Sequence, residues 1–283
     1  MTLPIRKALI VYLSPAGGTE HIALIMEKRL KSLEVPATVI DLGREPDVPF
    51  VLSQLRAAKD NLCLYLGSPV YAMHPLPAVM DFVACLPETE GGYAVPFVTW
   101  GGVSSGTALH AMGKALEEKG YLLLGAAKIL AEHSRMWDQD TPLGKDHPDE
   151  DDDAMIEALV DTVNAKLKTG YPPGVPQTHL NYQNREVQKR ADKMNIETAK
   201  AHMAPIVFKE KLCTQCGLCA EACPIEAITL SPFPVISPSC ISCCNCVRCC
   251  PEEAFTVDTS KSTEIVRAMA EKLNERPFSK IFC

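Results

Sequence analysis

Ten of the chain's 13 cysteines fall between residues 213 and 250, and eight of them write the same string twice. The first copy runs Cys213, Cys216, Cys219, Cys223, Pro224; the second runs Cys240, Cys243, Cys246, Cys250, Pro251. Thiolates are soft ligands that suit iron–sulfur clusters, and three on a tight loop can hold three corners of a cubane. The 27-residue offset between the copies also aligns PIEAIT (224–229) with PEEAFT (251–256), as doubled halves would. Under that offset Cys244 falls opposite Gly217 and Cys249 opposite Ala222. Neither slot carries a ligand in the other copy, so both thiols read as small filler beside a cluster. Zinc is the weaker reading, because a tetrahedral site takes four ligands in all whereas each copy offers four and a trailing proline. Disulfides are weaker still, since 283 residues can bury a core without staples and no export signal precedes them.

The spacing C-x2-C-x2-C-x3-C-P resembles the bacterial two-cluster ferredoxin run, in which the fourth cysteine of each copy serves the other cluster. That resemblance implies two 4Fe-4S clusters. One is held by Cys213, Cys216, Cys219 and Cys250, the other by Cys240, Cys243, Cys246 and Cys223. It implies a small α+β two-cluster ferredoxin domain over 205–258, with the crossed ligands tying its halves together.

The elements ahead of this module alternate short apolar runs with helical stretches, the pattern of a parallel sheet covered on both faces. Five strands are predicted: Lys7 to Leu13, Pro36 to Leu42, Asn61 to Gly67, Ala94 to Trp100 and Tyr121 to Leu130. Between them, Ile22, Ile25, Met26 and Leu30 recur at helical spacing in Thr19 to Leu33, as do Leu109, Met112 and Leu116, and a last helix begins near Asp153. Ligands of such sheets bind beyond the carboxyl ends of the strands. After the first strand, Ser14-Pro15-Ala16-Gly17-Gly18-Thr19 leads into a helix, and small residues there let backbone N–H groups curl round a phosphate. The loop lacks both the GK[ST] ending of a P-loop and the G-x-G-x-x-G fingerprint, which leaves a single phosphate. Gly67 to Met73 and Trp100 to Gly106 each set an aromatic beside small residues, offering flat faces and backbone polar groups to a flavin ring.

SPAGGT, GSPVYA, the WGG loop and the five-strand alternation resemble a flavodoxin-like FMN domain, with Pro15 to Gly18 replacing part of the usual T-G-x-T loop. Joined to the cysteine module, the chain resembles the flavodoxin-ferredoxin fusion proteins of anaerobic bacteria and archaea. The resemblance implies an α/β, doubly wound, five-stranded parallel sheet followed by the cluster domain. It implies FMN bound by Ser14, Ala16, Gly17, Gly18, Thr19, Pro69, Val70, Tyr71, Ala72, Trp100, Gly101 and Gly102. It implies an iron–sulfur flavoprotein that relays low-potential electrons between the clusters and FMN, with a redox protein as donor or acceptor. The alternative is a flavin-dependent reductase of a small organic substrate, fed by the clusters.

The expected boundaries are a flavodoxin-like FMN domain at 1–170, a linker with a bridging helix at 171–204, the cluster domain at 205–258 and a helical tail at 259–283. Tyr171 to Pro176 reads as a helix-breaking linker, and Asn181 to His202 as one polar helix. His133, in the loop after the fifth strand with Trp137, is the one candidate for protonating a substrate. The acidic run Asp149 to Asp153 reads as a solvated helix cap rather than a metal site. Cys63 and Cys85 read as core residues and Cys283 as a terminal thiol. No arrangement of Ser, His and Asp, no paired carboxylates and no H-E-x-x-H string points to hydrolysis. A net charge of −7 gives no encouragement to nucleic-acid binding. Arg6 and Lys7 before ALIVYL imitate a signal peptide, but the apolar run is short and reads as a first strand. No stretch is apolar enough to span a bilayer, and many thiols without an export signal point to a reducing cytoplasm.

Overall fold

Strand β1 (Lys7–Tyr12) shows how the chain builds its core: Leu9 and Val11 face one side of the sheet while Ala8, Ile10 and Tyr12 face the other, the period-two alternation of a strand buried on both faces. The computed structural model describes residues 7–44, 47–58, 62–169 and 172–283. Arg6, Asn61 and Tyr171, which figure in the expected leader, third strand and linker, lie outside the described residues.

The chain continues through α1 (Gly18–Ser32), β2 (Ala37–Asp41), α2 (Val48–Ala58), β3 (Leu62–Tyr71), β4 (His74–Pro75), α3 (Pro77–Cys85), β5 (Tyr93–Trp100), α4 (Ala108–Glu118), β6 (Leu122–Leu123), β7 (Ala126–Leu130) and α5 (Glu150–Lys168). Next come α6 (Gln177–Leu180), α7 (Arg185–Ala191), α8 (Ile196–Lys200), β8 (Val207–Phe208), α9 (Leu218–Glu221), β9 (Ile228–Leu230), β10 (Pro234–Ile236), α10 (Asn245–Arg248), β11 (Phe255–Thr256), α11 (Ser260–Leu273) and β12 (Lys280–Phe282). The long parallel strands lie in the order β2-β1-β3-β5-β7, with Val11 paired to Ile40 on one side and Leu66 on the other. Counted along the chain this is 2-1-3-4-5, the flavodoxin-like doubly wound order, whose ligands sit at the β1/β3 switch point. Leu9, Val11, Leu64 and Leu66 pack with α3 and α4, while Ile10, Tyr65 and Phe97 pack with α1 and α5.

Several expected boundaries move. Strand β3 runs on through the expected loop to Tyr71, then turns at Ala72 and Met73 (φ 48° and 72°) so that β4 pairs back on Val70 and Tyr71. The expected fifth strand is broken into β6 and β7 around Leu124 and Gly125. Helix α5 starts at Glu150, three residues early, because Asp149 is its N-cap: the Asp149 side chain accepts from the Asp151 and Asp152 N–H groups, and Asp152 reaches back to the cap. The acidic run is therefore a capping box, and Asp152 is buried with His147 rather than solvated. The single bridging helix expected over 181–202 is replaced by α7 and α8, each begun by an asparagine cap, Asn184 and Asn195, which compete with helix interior for backbone bonds. Cys63 is buried as expected, but Cys85 is exposed.

The tail is not wholly helical. After α11 it returns to the sheet as β12, antiparallel to β7, and adds a sixth strand beyond the five parallel ones. Glu275, between α11 and β12, enters the α/β unit to meet Lys128 of β7 at 2.7 Å. Lys128 is 2 % exposed, and its carboxylate partner also accepts from Ser104, the Ser105 N–H and Gln183. Lys128 stacks over Trp100 and Tyr182 as well. A charge this deep is held only because it is paired and hydrogen-bonded.

Candidate functional site

The cysteine module repeats in space as it does in sequence. Helices α9 and α10 stand at the same offset of 27 residues, as do three left-handed positions: Gln215 and Ser242 (φ 59° and 55°), Gly217 and Cys244 (81° and 63°), Glu226 and Glu253 (51° and 50°). Two of the three turns aim an N–H at a sulfur. Gln215 donates to Cys213 at 3.4 Å and Ser242 to Cys240 at 3.3 Å, while Ala227 donates to Cys223 at 3.2 Å and Ala254 to Cys250 at 3.3 Å. Such bonds stabilise thiolate charge and tune a cluster's potential. Cys213, Cys216, Cys219 and Cys250 line one small recess, with Leu218 and Leu230 at its mouth. The electrostatic surroundings of Cys243 include Cys223 and Cys240. In that recess four sulfurs, with backbone N–H groups aimed at Cys213 and Cys250, make a donor set that fits a cubane cluster. Cys249 is partly exposed and lies near Cys219 and Cys250, while Cys244 is buried. Burial pushes the Cys243 thiol up to about 12 and raises Cys246 as well.

A cavity of about 680 Å³ opens at the carboxyl ends of β1, β3, β5 and β7. Its size is that of a cofactor or small-ligand site. Ser14, Pro15, Ala16, Gly17, Gly18 and Thr19 form one wall. Gly17 sits at φ 89° as the N-cap of α1, and no side chain caps that helix, although Ser14 Oγ accepts the Glu20 N–H. A left-handed glycine and a bare helix start suit a phosphate. Gly18 has little room, since a Cβ there would stand 3.2 Å from that of Ala131. Pro69, Val70, Tyr71, Ala72, Trp100 and Gly101 form further walls, and Trp100 keeps its indole N–H buried without a partner. Gly102 is not at the wall; its left-handed turn (φ 75°) packs against Leu143 and so shapes the loop from behind.

His133 lines the same cavity. Burial, and then the neighbouring Arg135 charge, press its imidazole down to about 4, so it stands neutral at pH 7 and offers no imidazolium proton there. Trp137 is on the module side of that loop, under Arg248.

The second cysteine loop and the cavity share walls. Arg248 donates to the Pro15 carbonyl at 3.0 Å, beside the first wall. Arg135 donates to the Ser242 carbonyl at 2.9 Å and contacts Cys244 Sγ at 3.4 Å. Tyr71 hydrogen-bonds Ser134, and burial raises its hydroxyl pKa, helped by the nearby Cys243. Gly43, beyond β2, leaves space for Pro224, whose Cβ a side chain there would approach to 3.1 Å. None of these joints was predicted from sequence, because each pairs residues far apart in the chain. The far side of the cavity is closed by Arg190, Met194, His202 and Met203 from the 177–203 segment and by Ile265, Val266 and Met269 of α11. The sequence reading gave those residues no role, having taken 181–202 as one polar bridging helix and 259–283 as a helical tail.

The strand order and the repeated cysteine loops set a flavodoxin-like doubly wound α/β unit beside a small cysteine-rich module. Residues 206–229, which hold the first cysteine copy, match the family model of the 4Fe-4S binding domain. No curated protein matches the chain. Among solved structures, it is similar to rubredoxin oxygen:oxidoreductase from the anaerobe Desulfovibrio gigas (16% identity, TM-score 0.47, over 58% of this chain and 36% of that one). It is also similar to a flavodoxin from the domain Archaea (22% identity, TM-score 0.44, 57% and 99%) and to Megasphaera elsdenii flavodoxin (20%, 0.40, 56% and 98%). The chain thus spans about a third of the length of the Desulfovibrio protein. Among the described residues, no helix is long and apolar enough to cross a membrane.

Proposed function

We propose that the chain is an electron-transfer iron–sulfur flavoprotein, with FMN in the 680 Å³ cavity and two 4Fe-4S clusters on the crossed cysteine sets, all in one intramolecular relay. The observation that carries this reading is the shared wall: the loop bearing Cys240, Cys243 and Cys246 rests on Pro15, Tyr71 and Arg135 at the rim of the cavity. Bound there, a flavin supplies two-electron chemistry in separate steps and the clusters supply one-electron chemistry. The protein's own part is to hold, orient and insulate. Ser14 to Thr19 anchor the phosphate, Tyr71 and Trp100 flank the ring, and Trp100 Nε1 offers it an unspent donor. The buried second loop excludes water from its thiols, while the first loop leaves Cys216 at the surface for a redox protein. In this division residues 1–170 hold the flavin and 205–258 the clusters. The segments 171–204 and 259–283 close over the flavin side.

The test is an anaerobic purification followed by an absorption spectrum with flavin and iron quantitation. One flavin and two clusters' worth of iron per chain are expected; iron without flavin would make the α/β unit a docking module instead.

A second reading is favoured by the roof of the cavity. Electron transfer needs proximity and no empty space, yet Met194, Met203 and Met269 enclose volume beyond the three cofactor loops. A small organic substrate reduced over the flavin would use it. Steady-state turnover of candidate reducible substrates by the loaded protein decides between carrier and reductase.

A further inference from the structure

Arg135 is a buried cation with no counter-charge among the described residues. It is 5 % exposed, and its Nε and Nη2 groups have no hydrogen-bond partner. Its Nη1 group is spent on the second cysteine loop, at Ser242 O and Cys244 Sγ. No carboxylate among the described residues pairs with it. Lys128, equally deep, shows what a compensated cation looks like here, with Glu275 at 2.7 Å. An unpaired buried guanidinium is strongly unfavourable, so a negative charge that the protein acquires later is the natural partner.

The cysteine that meets Arg135 is itself out of place. Cys244 adopts a left-handed backbone (φ 63°) where the first copy has Gly217 at 81°. A non-glycine residue there is strained, and strain that persists is a reason to look for a role. What Cys244 does in that conformation is to bring its loop against the guanidinium.

We propose that Arg135 sets the direction of electron flow within the doubled module, by making the cluster on Cys240, Cys243, Cys246 and Cys223 easier to reduce than its twin. This rests on the relay reading above. A cubane on four thiolates is net anionic and gains one more negative charge on reduction. Burial by itself penalises that added charge and would lower the second cluster's potential below that of the exposed first one. A buried cation against the same loop reverses the sign, because it stabilises the reduced form at low dielectric. Since Arg135 also lines the cavity, the electron then rests beside the flavin site rather than at the surface loop. Arg135 acts through the cluster's surroundings and is a positioning residue.

The experiment is a redox titration of the full-length, anaerobically purified protein, with cluster signals followed by EPR and flavin and iron contents measured on the same samples. Arg135→Gln should lower one cluster couple by at least tenfold in its reduction equilibrium, about 59 mV for a one-electron step, and leave the other in place. Arg135→Lys should keep most of the wild-type value. Cys244→Gly, which removes the thiol but leaves the charge, should leave both couples in place. The idea is overturned if Arg135→Gln shifts neither couple, or both together, with iron and flavin intact, or if Cys244→Gly shifts a couple as far as Arg135→Gln does. Loss of one cluster in the Gln variant but not the Lys variant supports it, since the cation is then needed to hold the anionic cluster at all; loss in both counts against it. Wild-type protein without flavin or without clusters would instead sink the relay reading, and this inference with it.

Discussion

The two cysteine loops share spacing, amide-to-sulfur bonds and left-handed turns, yet they occupy different media. Cys216 of the first loop is exposed, among the exposed side chains of Leu212, Leu218 and Leu230. Cys243 and Cys246 of the second are buried, and the loop is pressed on the α/β unit by Arg248, Arg135 and Tyr71. The second copy is also tethered on its C-terminal side, where Thr259, at the start of α11, bonds Asp138 in the loop after β7. Identical ligands therefore do not make equivalent sites. Hydrogen bonds, dielectric and nearby charge tune a cluster as strongly as the ligand set does.

Removing a ligand from each loop gives the largest expected contrast. Cys243→Ala should lose its cluster, weaken the other through the crossed ligand, and also reduce flavin content, because its loop braces Arg135 and Tyr71 of the cavity wall; Cys216→Ala should lose iron while flavin stays. Equal flavin loss in the two variants would erase the distinction. Next in size, Gly18→Glu should nearly abolish flavin binding, since a side chain there meets Ala131 and its charge opposes the phosphate, with iron content unchanged. Retained flavin would move the phosphate site away from Ser14 to Thr19.

Glu275→Ala should destabilise the protein by about 3–5 kcal/mol, because it strands buried Lys128 and releases the Ser104–Ser105 loop and the tail. Chemical denaturation of the iron-loaded protein reads this, and a change below about 1 kcal/mol would mean that the pair behaves as a surface salt bridge. The medium of the second loop can be probed by pH. Its raised thiols stay protonated through neutral pH, so iron must displace their protons, and uptake at that site should fall as pH falls and keep rising toward the value of about 12 reached by Cys243. Iron uptake at the second loop that levels off near pH 8, about where free thiols ionise, would show its thiols to be ordinary. The smallest effect concerns the left-handed slot. Gly217→Ala has open space, with Leu230 Cδ1 at 3.7 Å, so it should cost only the backbone strain, roughly 1 kcal/mol. Cys244→Gly should relieve a similar strain and leave iron content unchanged.

Much of the site was legible before folding was considered. The doubling of the cysteine loops, the glycine-rich loop after β1 and the parallel α/β alternation all come from local spacing, because cysteine loops, strand ends and helix starts are built from neighbours in sequence. The failures are of another kind. Asn181 to His202 read as one polar helix bridging two domains, yet its pieces bury Val187 and Ala191 and roof the cavity. The tail read as helical, since a three-residue edge strand such as Lys280–Phe282 carries no period and exists only because β7 offers unpaired backbone groups.

The sequence by itself determined the residues available for chemistry: two cysteine strings of one spacing, a glycine-rich loop at a helix start and aromatic strand ends on one side of a doubly wound sheet. Only the tertiary structure decided that the two sets differ. Burial, the uncompensated charge of Arg135 and the clamp of Glu275 on Lys128 join residues more than a hundred positions apart, and spacing along a chain holds no information about which distant side chain will share a low-dielectric wall.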